Sequence, residues 1–174
     1  MSFLQGENIT LRALEPDDAV AVWRMECDSD QWLLNGISAP YSLQNIMAYI
    51  AGYDADPYRA GQIRLLAVTN DDGAPVGLID LYEMSAVNHT AYIGIYVSPE
   101  YRRHGFAVEM LALIENYGRT VLKLRSLAAR VSSANIASRN LFEGAGYRLC
   151  GTLKDWLLTP DGQNDMSVMQ KILL

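Results

Sequence analysis

Apolar and polar residues alternate from Ile9 to Leu14, the period of a strand with one buried face, and Pro16-Asp17-Asp18 then marks a helix start that residues 19–26 continue. Ser42 caps a second helical stretch that runs to about Ala51. Residues 53–61 place Asp, Pro and Gly at loop spacing and predict a mobile or substrate-facing loop. Residues 65–69 and 76–82 flank the turn Asn70-Asp71-Asp72-Gly73 and so predict a hairpin; a turn over residues 87–90 returns the chain into a strand over 91–97. Apolar residues then recur at Ala107, Met110, Leu111, Ile114, Tyr117 and Val121, one buried face of a helix from Gly105 or Phe106 to about Val121. Residues 126–131 read as a strand, 133–145 as a helix stopped by Gly146, and 147–158 with 166–173 as a closing hairpin. With one strand–helix–strand crossing at its centre, this order predicts an α/β or α+β fold, a sheet covered by helices on both faces.

A chain of 174 residues, half of them hydrophobic, is expected to form one domain with a substantial core, and core packing is expected to absorb most of the aromatic residues. A formal net charge of -6 disfavours nonspecific nucleic-acid binding, although a local basic patch still suits a small anion. Cys27 and Cys150 lie far apart without Cys-x-x-Cys spacing, and His89 and His104 are the only histidines, so neither a disulfide framework nor a metal site is expected. The first residues show no basic segment followed by an apolar core, and no apolar run approaches the ~18 residues of a membrane span. A cytoplasmic protein without membrane partners is the expectation; a homo-oligomer stays open.

One stretch changes this picture. The strand Ile93-Gly94-Ile95-Tyr96-Val97 stops at Ser98-Pro99 and passes through Arg102-Arg103-His104-Gly105-Phe106-Ala107 into the central helix. A helix start leaves about four backbone N–H groups without intrahelical acceptors and carries partial positive charge. Two arginines add permanent charge there, and Gly105 with the small Ala107 lets a ligand approach the backbone, so the pyrophosphate of a nucleotide-like cofactor fits. The run lacks the Lys-Ser/Thr ending of a P-loop and the three spaced glycines of a dinucleotide fingerprint. An ordinary strand-to-helix turn is the other reading of these residues alone.

Several segments in order resemble the GCN5-related N-acetyltransferases. Leu11-Arg12-Ala13-Leu14-Glu15-Pro16-Asp17-Asp18 resembles their first strand and helix start, and Gly77-Leu78-Ile79-Asp80-Leu81 their third strand. Arg102 to Ala107 resembles their Gln/Arg-x-x-Gly-x-Gly/Ala coenzyme A motif, and Asn135-Ile136-Ala137-Ser138 through Gly146-Tyr147 a segment of the branch that acetylates ribosomal-protein N-termini; spermidine acetyltransferases are the other similar group. The resemblance implies a mixed, mostly antiparallel sheet whose central strand splays around a bulge, with acetyl-CoA as acetyl donor and an amine-bearing acceptor, a peptide N-terminus or a small molecule.

It also implies residue roles. Backbone N–H groups near Ile95, Tyr96 and Val97 face the cofactor, that of Tyr96 polarising the thioester. Arg102, Arg103, His104, Gly105, Phe106 and Ala107 wrap the pyrophosphate, Asn135 binds the pantetheine arm, and Phe142 or Leu141 lines its apolar side. Ser138 places a water near the sulfur or helps protonate it. Phe142 stands seven residues after Asn135, where many members carry a tyrosine acid, and Tyr92 stands where a glutamate is common. Strand alternation sets Asp80 and Glu83 on opposite faces, and Asp80 is the preferred carboxylate. The spermidine enzymes carry an acidic loop, whereas Trp32-Leu33-Leu34-Asn35-Gly36-Ile37-Ser38 has no acidic residue, so a polyamine or aminoglycoside is the alternative acceptor. A noncatalytic acyl-coenzyme A sensor is the reading of a different class.

Overall fold

A computed structural model of the chain describes residues 3–28, 32, 37–159 and 161–173. One seven-stranded sheet runs through it in the order β1-β2-β3-β4-β5-β7-β6. Its strands are β1 (Ile9–Ala13), β2 (Gln62–Thr69), β3 (Pro75–Ser85), β4 (Thr90–Val97), β5 (Ser126–Ser132), β6 (Arg148–Thr159) and β7 (Gly162–Ile172). The helices are α1 (Ala19–Glu26), α2 (Leu43–Ala51), the single turn α3 (Pro57–Ala60), α4 (Phe106–Thr120) and α5 (Ile136–Gly144). All neighbours pair antiparallel except β4 and β5, which run parallel because α4 carries the chain across between them.

Strand alternation divides the core. Leu65, Ile79, Leu81 and Ile93 pack with Met110, Leu111 and Ile114 of α4, while Leu66, Val68 and Leu78 pack on the other face against Val22, Met25, Ile46 and Ile50 of α1 and α2. Adjacent residues of one strand thus serve opposite cores.

Three expectations shift in detail. Residues 53–61 are not all loop: Asp56 accepts from the Tyr58 and Arg59 N–H groups, Pro57 fits the first helical position, and Gly61 closes the turn at φ 72°. The helix expected from residue 133 starts at Ile136, because the Asn135 side chain accepts the Ser138 N–H at 3.0 Å and caps it there. Among the described aromatic residues, Phe142 and Tyr147 are buried in the core, whereas Tyr41, Tyr49, Tyr82, Tyr96 and Trp156 line a surface groove.

Candidate active site

The sheet opens between β4 and β5. The two strands pair only through Thr90↔Ser126, Ala91↔Leu127 and Tyr92↔Ala128, after which β5 continues alongside β7 as far as Ser132↔Met166. On the opposite edge β4 stays paired with β3 to Gly77↔Val97 without a shift of register across residues 92–97. The splay therefore comes from β5 turning away, not from the bulge expected in β4; the bulges lie in the pairings of β3, near Tyr82–Ser85 with β4 and near Val76 with β2.

That register selects the backbone donors. The Ser98 N–H bonds to the Val76 carbonyl at 2.9 Å, so in an antiparallel ladder the Tyr96 N–H is also turned toward β3 and those of Ile95 and Val97 face the opening. The Val97 carbonyl points the same way and accepts from Arg102 Nε at 3.0 Å. The Tyr96 N–H expected to meet the thioester is thus turned to β3, and the N–H groups that face the opening are those of its neighbours. The Tyr96 side chain lies on the groove face instead, where its hydroxyl donates to Asp28 at 2.9 Å; burial first and that carboxylate second push its pKa up to about 12.

Beyond Val97 a short 3-10 turn, Pro99–Tyr101, leads into the loop before α4. Arg103 (φ 65°) and Gly105 (φ 83°) both adopt the left-handed conformation, which turns successive N–H groups toward one side. Among the described residues, the N–H groups of Arg103, His104, Gly105, Phe106 and Ala107 meet no acceptor, and a Cβ built at Gly105 meets nothing within 4 Å. Five free donors, the α4 dipole and the neighbouring charge of Arg103 make a fitting cradle for the pyrophosphate of coenzyme A, whereas the Arg102 guanidinium is turned to the Val97 carbonyl and to Asp28. His104 stacks on Phe106 with ring centroids 5.7 Å apart, which leaves it a wall of the loop rather than a base.

A continuous groove crosses the sheet on the α1 and α2 side. One part, about 420 Å³, is lined by Glu26, Tyr41, Tyr49, Arg64 and Tyr96; a wider part of about 940 Å³ reaches Arg130, Ser138, Phe142 and the β6–β7 hairpin. Gln62, Arg64, Asp80, Gly94 and Ile95 line both parts, so the groove meets the opening of the sheet at its middle. Gly94 keeps this junction clear, since it faces Asp80 across the ladder and projects no side chain into the groove.

Asp80 is not a free carboxylate. Arg64 Nε donates to it at 2.6 Å and Nη2 at 3.2 Å, while Arg64 Nη1 donates to Glu26 at 2.6 Å. Burial opposes the Arg64 cation, but Asp80 and Glu26 outweigh it and hold the guanidinium fully charged. Glu83 sits at φ 48° within the β3 bulge, and both its oxygens accept from Arg130, whose guanidinium lies 3.8 Å from the Tyr92 ring centroid; Tyr92 in turn stacks on Tyr82. The bulge interrupts strand alternation at Glu83, yet of the two carboxylates only Asp80 lines the groove. Asn135 spends its oxygen on capping α5 and turns Ser138 toward the opening, while Phe142, 2% exposed, packs edge-to-face on Tyr147 and still lines the groove.

Glu26, Arg64, Tyr49 and Arg130 carried no motif in the sequence. They come from four separate elements, and only the packing of α1 and α2 over β2 and β3 collects the first three. In the loop expected to mark polyamine recognition, residues 33–36 lie outside the described residues; Trp32 donates its indole N–H to the Glu26 carbonyl at 3.1 Å.

Comparison with known proteins adds four findings. The family model described as Acetyltransferase (GNAT) domain matches residues 8–148. The chain is 28% identical over 151 residues to spermidine N(1)-acetyltransferase of Escherichia coli (strain K12), covering 85% of this chain and 77% of that protein. It is 27% identical over 170 residues to a putative ribosomal N-acetyltransferase of Bacillus subtilis (strain 168), covering 92% and 89%. The spermidine N-acetyltransferase of Vibrio cholerae, solved in complex with CoA and spermine, superposes with a TM-score of 0.82 at 22% identity over 95% of each chain.

Proposed function

Because this chain belongs to the acetyltransferase (GNAT) domain family and is an acetyl-CoA-dependent N-acetyltransferase, we propose that it acetylates the primary amine of a peptide N-terminus or of a small molecule by direct transfer in a ternary complex. What supports this is the junction at Gly94 and Ile95, where the amine groove meets the opening between β4 and β5. The donor supplies a thioester; the amine nitrogen bonds to its carbonyl carbon and loses a proton, the C–S bond breaks, and the coenzyme leaves as the thiol. Ile95 and Val97 would offer N–H groups to the oxygen and the pantetheine amide, and a preorganised donor of that kind is worth about 2.7–4 kcal/mol. Asp80, fixed by Arg64, would orient the amine. Ser138 would serve the sulfur, and Asn135 and Phe142 the pantetheine arm, with the loop from Arg102 to Ala107 on the pyrophosphate. Neither cysteine lines the groove among the described residues, so no acetyl-enzyme is invoked.

Proton affinity favours an α-amine. At pH 7 an amine with pKa about 10.4 costs roughly 4–5 kcal/mol to deprotonate, against about 1–1.5 for one near 7.7–8.0. The groove carboxylates Glu26 and Asp80 are both committed to Arg64, which suits the less demanding amine. A polyamine is the second reading, favoured by the names of the relatives. Thiol release from acetyl-CoA, measured against N-terminal peptides, polyamines and aminoglycosides with mass spectrometry of the products, tests both. Acetylated peptide, lost in Gly105→Trp, is expected. Coenzyme A binding without acetyl transfer to any amine would instead mark an acyl-coenzyme A sensor.

A further inference from the structure

The wide end of the groove is built by a distortion of the closing hairpin. Register runs through Thr152↔Ser167 and Leu153↔Met166 and resumes at Leu157↔Asn164, so Lys154, Asp155 and Trp156 together oppose Asp165 alone. Asp155 adopts φ 50°, a left-handed conformation that costs a non-glycine residue free energy unless its surroundings hold it. Asp165 holds it: its carboxylate accepts from Lys154 Nζ at 2.7 Å and from the Asp155 N–H at 3.0 Å, and its carbonyl accepts the Ser133 N–H at 2.9 Å beside the α5 cap.

A regular strand would send Trp156 and Leu157 to opposite faces. With the bulge, Leu153, Trp156, Leu157 and Leu158 all line the one groove, and Trp156 and Leu158 stay 63% and 69% exposed there. Across from them stand Tyr82 and Arg130, the latter already neutralised by Glu83. This wall shares its cavity with Asp80, Gly94 and Ile95. Of the charged residues that line the groove, Glu26 and Asp80 are paired with Arg64, and Arg130 is held by Glu83 from outside the lining, a balance that offers a polycation no run of unpaired carboxylates. A bulge pinned beside a functional site re-aims a side chain toward it.

We propose that Trp156 and Leu158 form a subsite for a large apolar or aromatic group borne by the amine close to its reacting nitrogen, so that the acetyl acceptor is amphipathic and not a linear polycation. The inference rests on the amine-acceptor reading above and narrows it. The test compares two peptides, alike except for beginning Phe-Phe or Gly-Gly, together with spermidine. Acetylation kcat/KM and, separately, the Kd of each for the protein saturated with coenzyme A are measured in wild type, Trp156→Ala, Leu158→Ala and the same-strand control Leu149→Ala. Expected is at least a ten-fold advantage of the Phe-Phe peptide in both quantities, lost in Trp156→Ala and Leu158→Ala and kept in Leu149→Ala. Equal treatment of the two peptides, a preference for spermidine, or a Trp156→Ala effect confined to the oligomeric state on size-exclusion chromatography overturns it; the last outcome would make the wall an interface with a second copy. Selective binding of the Phe-Phe peptide with no acetyl transfer upholds the subsite and removes the peptide-acetylation reading instead.

Discussion

Gly77 has no space for a side chain: a Cβ there would fall 2.1 Å from the Tyr96 carbonyl oxygen and 3.0 Å from Val97 Cα. Both atoms are backbone of β4 beside the opening, so neither can yield without moving the donors. Gly77→Ala is expected to lower stability by about 1–3 kcal/mol, read from the urea midpoint, and to lower kcat as well. At Glu109 on α4, burial raises the carboxyl pKa, but the backbone N–H and side-chain amide of Asn8 (2.9 and 3.0 Å), helped by the Ile9 N–H, outweigh it and hold the folded value below the ordinary one. A depressed carboxylate contributes stability above its unfolded pKa and loses it as pH falls through the folded value. The stability advantage of wild type over Glu109→Gln is therefore expected at neutral pH and should fade under acid titration followed by circular dichroism. The sequence showed Glu109 only as one acidic residue in a helix; its partner Asn8 lies 101 residues away, a pairing that no local pattern encodes.

At the scale of the element, β4 works through its free edge. Proline lacks the N–H and is tolerated where that group faces away from a ladder, so Ile95→Pro removes a donor from the opening while leaving the N–H groups directed at β3 in place. A fall in kcat of about 10²–10³-fold with a retained circular dichroism spectrum is expected; unchanged turnover would assign the thioester to another donor. The cap of α5 is a second element-level device. Asn135→Ala removes the bond to the Ser138 N–H and is expected to cost about 1 kcal/mol in thermal unfolding, with weaker coenzyme A binding by calorimetry. Strand periodicity placed β4 and β5 close to their observed bounds, and the apolar spacing from Ala107 to Tyr117 located α4. The start of α5 falls at Ile136 and not at residue 133, because the capping oxygen of Asn135, a residue that also fits a ligand contact, sets the boundary.

For the whole molecule, the five free N–H groups and the opened sheet exist only once the chain has folded, so on the reading proposed above the folded state alone should bind coenzyme A. At a ligand concentration of 100 Kd that adds about 2.7 kcal/mol, a rise in Tm of about 5–10 °C for a protein of this size. Gly105→Trp should abolish the shift in a thermal melt, because the indole would fill the open space at Gly105. Among the described residues no helix is long and apolar enough to cross a membrane. The order of elements, the two faces of the sheet and the anion loop were determined by the sequence, because periodicity, caps and turn chemistry act over a few residues and leave their signature there. Tertiary structure alone decided that Ile95 and Val97, not Tyr96, present the N–H groups, since ladder register depends on the partner strand. It also decided that Arg64 joins Glu26 to Asp80 and that the β6 bulge turns Trp156 into the groove, because these contacts join residues from distant elements, and their geometry exists only once the sheet has assembled.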